Sequence, residues 1–225
     1  FGEERRSFVP IAQIPKVMKD AVLAIEDSRF YDHGGVDYIG MLRAGLAQFN
    51  DARSQGASTI TMQVARNFYL STEKTFTRKI YEVLLTWKIE SQLSKDQILE
   101  AYMNQIYLGQ RAHGFAAASE IYFGKPLRDV TIAEAAMLAG LPKAPSAYNP
   151  IVNPKRATIR QRHIIERMQA NGFITAEQAN SARAEKPHYR TQSEVAVHAE
   201  YVAETARQLI FAQYGEETYT RGLNA

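Results

Sequence analysis

Three stretches of the chain carry the same helix-opening signature: Ser94 with Gln97, Thr131 with Glu134, and Thr175 with Gln178. In each, a hydroxyl residue at the helix start and an amide or acid three residues later can satisfy each other's exposed backbone N–H groups. Between these points the apolar residues recur at helical spacing. After Pro15, "KVMKDAVLAIED" places Val17, Ala21, Val22 and Ile25 on one face and predicts a helix ending near Glu26. Further helices are expected across "YIGMLRAGLAQFN", "TITMQVARNFYL", "TFTRKIYEVLLTWKIESQL" and "SKDQILEAYMNQIYLG", the last stopping at Gly109. Asn153–Pro154 opens a basic helix that Gly172 closes, and "AEYVAETARQLIFAQYG" is the last helical segment. Strand-like alternation is confined to "VAV" near residue 195. The chain therefore predicts a mostly α fold, without repeats or low-complexity tracts.

Length and composition fit one well-packed domain, or one domain with two lobes: 225 residues, 45% hydrophobic and 23% charged. A net charge of +3 gives no case for a nucleic-acid partner, and the absence of cysteine excludes disulfides and thiolate metal sites. The basic run "KRATIRQRHIIER" is read as a solvated helix face, with contact to an anionic surface as its alternative. No apolar run reaches the roughly 18 to 20 residues that span a bilayer. The chain opens on "FGEERRSF" and stops at "TRGLNA", which reads as an excised piece of something longer, from which any membrane anchor would have been cut away.

Two carboxylates stand out. Glu26 falls at an expected helix C-terminus, where unpaired carbonyls and neighbouring Asp27 disfavour its charge and raise its pKa toward the range of a general base. The plain alternative is a solvated acid at a fraying end. Glu82 lies on a helix whose wheel is apolar nearly all round: Phe76, Ile80, Val83, Leu84 and Trp87 on one side, Leu85 and Ile89 on the other. That pattern predicts a central helix. Arg78 and Glu82, spaced i, i+4, form either a structural ion pair or a charged pair lining a cleft. In "QGASTITMQVARN", Gly56 permits a tight approach and Ser58 or Thr59 can cap the next helix, whose free N–H groups suit a phosphate. Gln63, Arg66 and Asn67 follow, and with Arg78, Lys79 and Lys74 they supply a cationic rim for a pyrophosphate. No two histidines share metal-ligand spacing.

Together these segments resemble the motif series of the family 51 peptidoglycan glycosyltransferases, found in class A penicillin-binding proteins and in monofunctional transglycosylases. "EDSRFYDHGGVD" resembles the first motif, "GASTITMQVARN" the second, "RKIYE" the third and "KDQILEAYMNQIYLG" the fourth. "ASEIYFGKPL", followed by "TIAEAAMLAGLPKAPSAYNP", is similar to the fifth, all in family order across residues 26–150. The resemblance implies a mostly α, lysozyme-like bilobal fold with a large lobe and a small membrane-proximal lobe near "YIGMLRAGLAQF". It implies a glycosyltransferase domain over residues 1–190 and a linker over 191–225 toward a transpeptidase domain.

By the same resemblance, Glu26 matches the catalytic base that deprotonates the 4-hydroxyl of acceptor lipid II. Glu82 matches the second essential glutamate, which assists departure of the pyrophosphate, with a divalent cation (Mg or Mn) as the implied cofactor and no organic one. Ser58, Gln63, Arg66, Arg78 and Lys79 match positions that hold the donor's phosphates and sugars. Many relatives have lysine where this chain has Arg66. Asp27, His33, Gly56, Thr61 and Asn67 match supporting positions, as do Glu100, Tyr102, Asn104 and Lys125. The implied partners are lipid II, the growing glycan strand and a membrane surface, at the periplasmic face of a bacterial inner membrane. Two rival readings are a lysozyme-like lytic enzyme and a catalytically silent membrane-surface scaffold. A hydrolase of neutral glycosidic bonds has no need of the cationic rim.

Overall fold

The computed structural model describes residues 5–40, 58–69 and 76–190. Eight helices are assigned there: α1 (Lys16–Glu26), α2 (Ile60–Tyr69), α3 (Phe76–Gln92), α4 (Lys95–Gln105), α5 (Phe115–Phe123), α6 (Ile132–Ala139), α7 (Pro154–Ala170) and α8 (Ala176–Ala184). The sheet is a parallel pair of two-residue strands, β1 (Arg5–Arg6) and β2 (Ala112–His113), with Arg5 opposite Ala112. The described residues up to Tyr189 belong to one compact unit. The last expected helix, the "VAV" ribbon, Gly56, Lys74 and all but the opening turn of the helix expected from Tyr38 lie outside the described residues.

All three capping boxes form, with both reciprocal hydrogen bonds in each. Pro154 occupies the first turn of α7, and Gly172, at φ +74°, follows its end. The fourth helix stops four residues before Gly109, at Gln105, and a tight turn carries the chain through Gly109 into β2.

The centre of the molecule is α1 and α6. Residues Ala133 to Ala139 of α6 are all buried, and small side chains allow close packing against α1 and α7. Met18, Ala21, Val22 and Ala24 of α1 pack into the same core. Gln161 of α7 donates to the Ala133 carbonyl at 2.7 Å, so the one buried amide on that face is satisfied.

The prediction for α3 is overturned. Ile80, Tyr81, Leu84 and Trp87 face solvent, each roughly half exposed, while Glu82 and Thr86 are buried and Ile89, with partly buried Leu85, packs inward. The apolar wheel is real, but tertiary packing turns its more polar side inward. Gly35, at φ +93°, lets the loop after α1 press onto α3. A Cβ there would stand 2.6 Å from Thr86 Cγ2 and 2.8 Å from Glu90 Cγ. The Thr86 hydroxyl satisfies itself on the Glu82 carbonyl at 2.7 Å, so the polar residues on this face carry their own partners.

Candidate active site

Helix α1 ends at Glu26, with Asp27 as its C-cap. The Glu26 carboxylate accepts a hydrogen bond from Gln63 Nε2 on α2 at 2.8 Å. Burial pushes its pKa up, partly offset by the Gln63 hydrogen bond and by the charges of Arg160, Lys143 and Arg66. Tyr102 of α4 lies behind this pair, fully buried, its hydroxyl 3.4 Å from Gln63 Oε1. Burial and the nearby Glu26 charge hold the Tyr102 phenol well above its ordinary pKa, so it stays a neutral donor.

Asp27 anchors the site. One of its oxygens sits 2.9 Å from His33 Nε2, and the other accepts the Ile60 N–H at 3.1 Å, at the start of α2. The Gly35 N–H donates to His33 Nδ1 at 3.2 Å, which places the ring proton on Nε2, pointing at Asp27. His33 therefore fixes the glycine loop. Thr59 bonds the Gly35 carbonyl through its hydroxyl, and the same oxygen accepts the Met62 N–H at 3.2 Å. The expectation that the opening of α2 offers free N–H groups to a phosphate is thus corrected: Asp27 and Thr59 occupy the donors of Ile60 and Met62.

Glu82, 1% exposed, faces the interior from the middle of α3. Lys79, one turn back, pairs with it at 2.7 Å. Lys79 is half exposed, so this ion pair runs from the interior to the surface. Arg66 is partly buried and close enough to act on both Glu26 and Tyr102, Ser58 is partly buried at the entrance to α2, and Asn67 is exposed.

Four of the supporting residues hold structure together. Glu100 accepts the Ile11 N–H at 2.7 Å, and Asn104 both accepts from and donates to the backbone of Val9, pinning the N-terminal segment to α4. Lys125 pairs with Glu134 at 2.6 Å, and Thr61 donates to Glu90 across the α2–α3 contact. The sequence reading missed Lys143 and Arg160. Arg160 was read as part of a solvated basic face, yet it lies three residues from buried Ala157 and four from buried Ile164. That spacing places it on the inward stripe of α7 and is the signal that finds it.

The site thus sets one hydrogen-bonded acid at a helix end and a second acid beside a lysine on a mostly helical domain. The profile of the Transglycosylase family matches residues 1–169, and the chain belongs to that family, the peptidoglycan glycosyltransferases. Penicillin-binding protein 1A of Neisseria flavescens is 58% identical over 224 residues, covering 99% of this chain and 28% of that protein. A Cupriavidus necator protein bearing a transglycosylase name is 61% identical over 178 residues, 79% of this chain and 77% of its own length. The crystal structure of penicillin-binding protein 1A from Haemophilus influenzae matches with a TM-score of 0.52 at 28% identity, over 96% of this chain and 22% of that one. The chain thus spans about 28% of the length of its Neisseria relative.

Proposed function

We propose that this domain polymerises lipid II into glycan strands, with Glu26 as the base. The observation that carries the reading is the Glu26 carboxylate itself: partly buried, aligned by Gln63 and raised in pKa, it is poised to accept a proton. Glu26 takes the proton from the acceptor's 4-hydroxyl, and that oxygen attacks the anomeric carbon of the donor. The new C1–O4 bond forms as the C1–O bond to phosphate breaks. Undecaprenyl pyrophosphate departs with the bonding electrons, and inversion gives a β-1,4 link. A pyrophosphate needs cationic stabilisation more than it needs a proton donor, and Arg66, Arg78 and Lys79 supply charge of the right sign.

Glu82, with Lys79, occupies the leaving-group side. A divalent cation, Mg or Mn, would bind through the one Glu82 carboxylate plus the substrate phosphates, in exchange for the Lys79 ammonium that holds that carboxylate here. Glu82 would hold it, and the cation would contribute charge neutralisation on the phosphates.

Among the described residues no helix is long and apolar enough to cross a membrane. The row Ile80, Tyr81, Leu84 and Trp87, flanked by exposed Lys79 and Lys88, supports contact with an anionic lipid surface. We place the domain at the periplasmic face of an inner membrane, ahead of a transpeptidase domain, with the linker starting near residue 191.

Purified lipid II and finished glycan, offered separately, test this reading. Polymer from lipid II is the expected result. Shortened glycan with untouched lipid II would overturn it in favour of a lytic enzyme.

A further inference from the structure

Glu90, in the last turn of α3, belongs to none of the motifs. The last turn of a helix favours a cation and the first turn an anion. Glu90 and its partner Lys95, the first residue of α4, reverse that order, each at the wrong end of its own helix. Local helix stability does not account for this pair, whereas the elements it joins do. Glu90 Oε1 accepts from Lys95 Nζ at 2.8 Å and from the Thr61 hydroxyl of α2, a residue wholly buried. The same ammonium lies 4.5 Å from the centroid of the Phe30 ring, in the loop after α1. Gly35 of that loop leaves no room for a side chain over Glu90 Cγ. Two helices and a loop therefore meet on one α3 carboxylate.

We propose that Glu90 is a positioning residue: by clasping Thr61 of α2 and Lys95 of α4, it sets the helix that carries Glu82 against the helix that carries Gln63. This rests on Glu26 and Glu82 acting as proposed above.

The placement follows from helix geometry. Thr61 and Gln63 are two residues apart, so their side chains leave α2 about 200° apart. Gln63 reaches back to Glu26 on α1, and Thr61 reaches forward to Glu90 on α3. Along α3, Glu82, Thr86 and Glu90 stand four residues apart and form one inward stripe. Glu90 lies about 12 Å along that stripe from Glu82. Loss of the Glu90 clasp lets α3 pivot, which displaces Glu82 and its neighbour Lys79 relative to Glu26. A misplacement of about 1 Å can cost about a hundredfold in rate. Thr86 shows the contrast: its hydroxyl stays on its own helix, at the Glu82 carbonyl, and joins nothing to α3.

The test is kcat for lipid II polymerisation by the parent, Thr61→Val, Thr61→Ser and Glu90→Met, at a temperature where melting curves show each fully folded. Thr61→Val keeps the shape but removes the hydroxyl, and should lose about tenfold in kcat. Thr61→Ser keeps the hydroxyl and should stay within about threefold of the parent. Glu90→Met, which releases Thr61 and Lys95 together, should lose about a hundredfold. In a Glu82→Gln background, Thr61→Val should cost less than about twofold, because its effect runs through the placement of Glu82. Thr61→Val or Glu90→Met, folded and at the parent's rate, overturns the proposal. So does Thr61→Ser as slow as Thr61→Val, or a Thr61→Val loss undiminished in the Glu82→Gln background. If Glu82→Gln is too slow to measure, or Glu90→Met fails to fold, the two Thr61 variants decide alone. Glu82→Gln as fast as the parent sinks the role given to Glu82, whereas a slow Glu82→Gln beside a parent-like Thr61→Val sinks only this inference.

Discussion

Glu26 and Glu82 are both carboxylates drawn away from water, and their surroundings differ in kind. Glu26 ends a helix, takes a hydrogen bond from a neutral amide, and has its nearest cations at the reach of charge alone. Glu82 is in mid-helix, is more deeply buried, and holds a lysine ammonium at 2.7 Å. A carboxylate whose charge is costly gains by accepting a proton. One that already holds an ammonium is suited to organising charge near a leaving group. The environments, more than the residue type, divide the two roles.

The sharpest way to break this contrast is to neutralise each acid in turn. Glu26→Gln should cost about a thousandfold in polymerisation rate, within the span of general-base effects. Stability should move the other way. A carboxyl whose pKa is raised on folding destabilises the fold above its unfolded pKa. The melting temperature of Glu26→Gln should therefore equal or exceed the parent's at about pH 7, with the difference closing toward about pH 4.

Glu82→Gln should cost about a hundredfold in rate, the scale of losing one electrostatic contact in a transition state. The reciprocal change, Lys79→Met, should destabilise the protein by about 1–3 kcal/mol, because it strands a buried carboxylate. Denaturant titrations in which Lys79→Met proved neutral would dissolve the pairing argument.

A subtler test is the pH profile of the parent. The rate should fall as pH falls through the raised pKa of Glu26, since the protonated acid accepts nothing. A profile flat down to about pH 4, near the unperturbed glutamate value, would contradict a raised pKa for Glu26.

The smallest effect concerns the outer side of the Glu82 helix. Trp87→Ser should change stability by no more than about 0.5 kcal/mol, as for most surface substitutions. It should weaken sedimentation with vesicles containing anionic phospholipid, and unchanged sedimentation would remove that face from the membrane reading.

Much of this was legible in the chain. The capping boxes announced three helix starts because their chemistry is local, and the end of α1 at Glu26 followed from Pro15 and the apolar spacing. What the chain did not disclose were choices made by distant packing. The wheel of α3 counted apolar residues correctly, yet could not say which side the Gly35 loop would cover. The opening of α2 looked rich in free donors until Asp27, 33 residues earlier, proved to accept one of them. Arg160 was lost in a run of positive charge because charge density was weighed there and helical phase was not.

Asp27 carries one more consequence. It belongs to the end of α1, and its two oxygens are divided between the histidine of the glycine loop and the first amide of α2. The proton acceptor and the amide that aligns it are therefore bolted to one another through the same side chain. Glu26 and Gln63 are thus tied twice, directly and through Asp27, and α1 cannot shift on α2 without breaking one of those bonds.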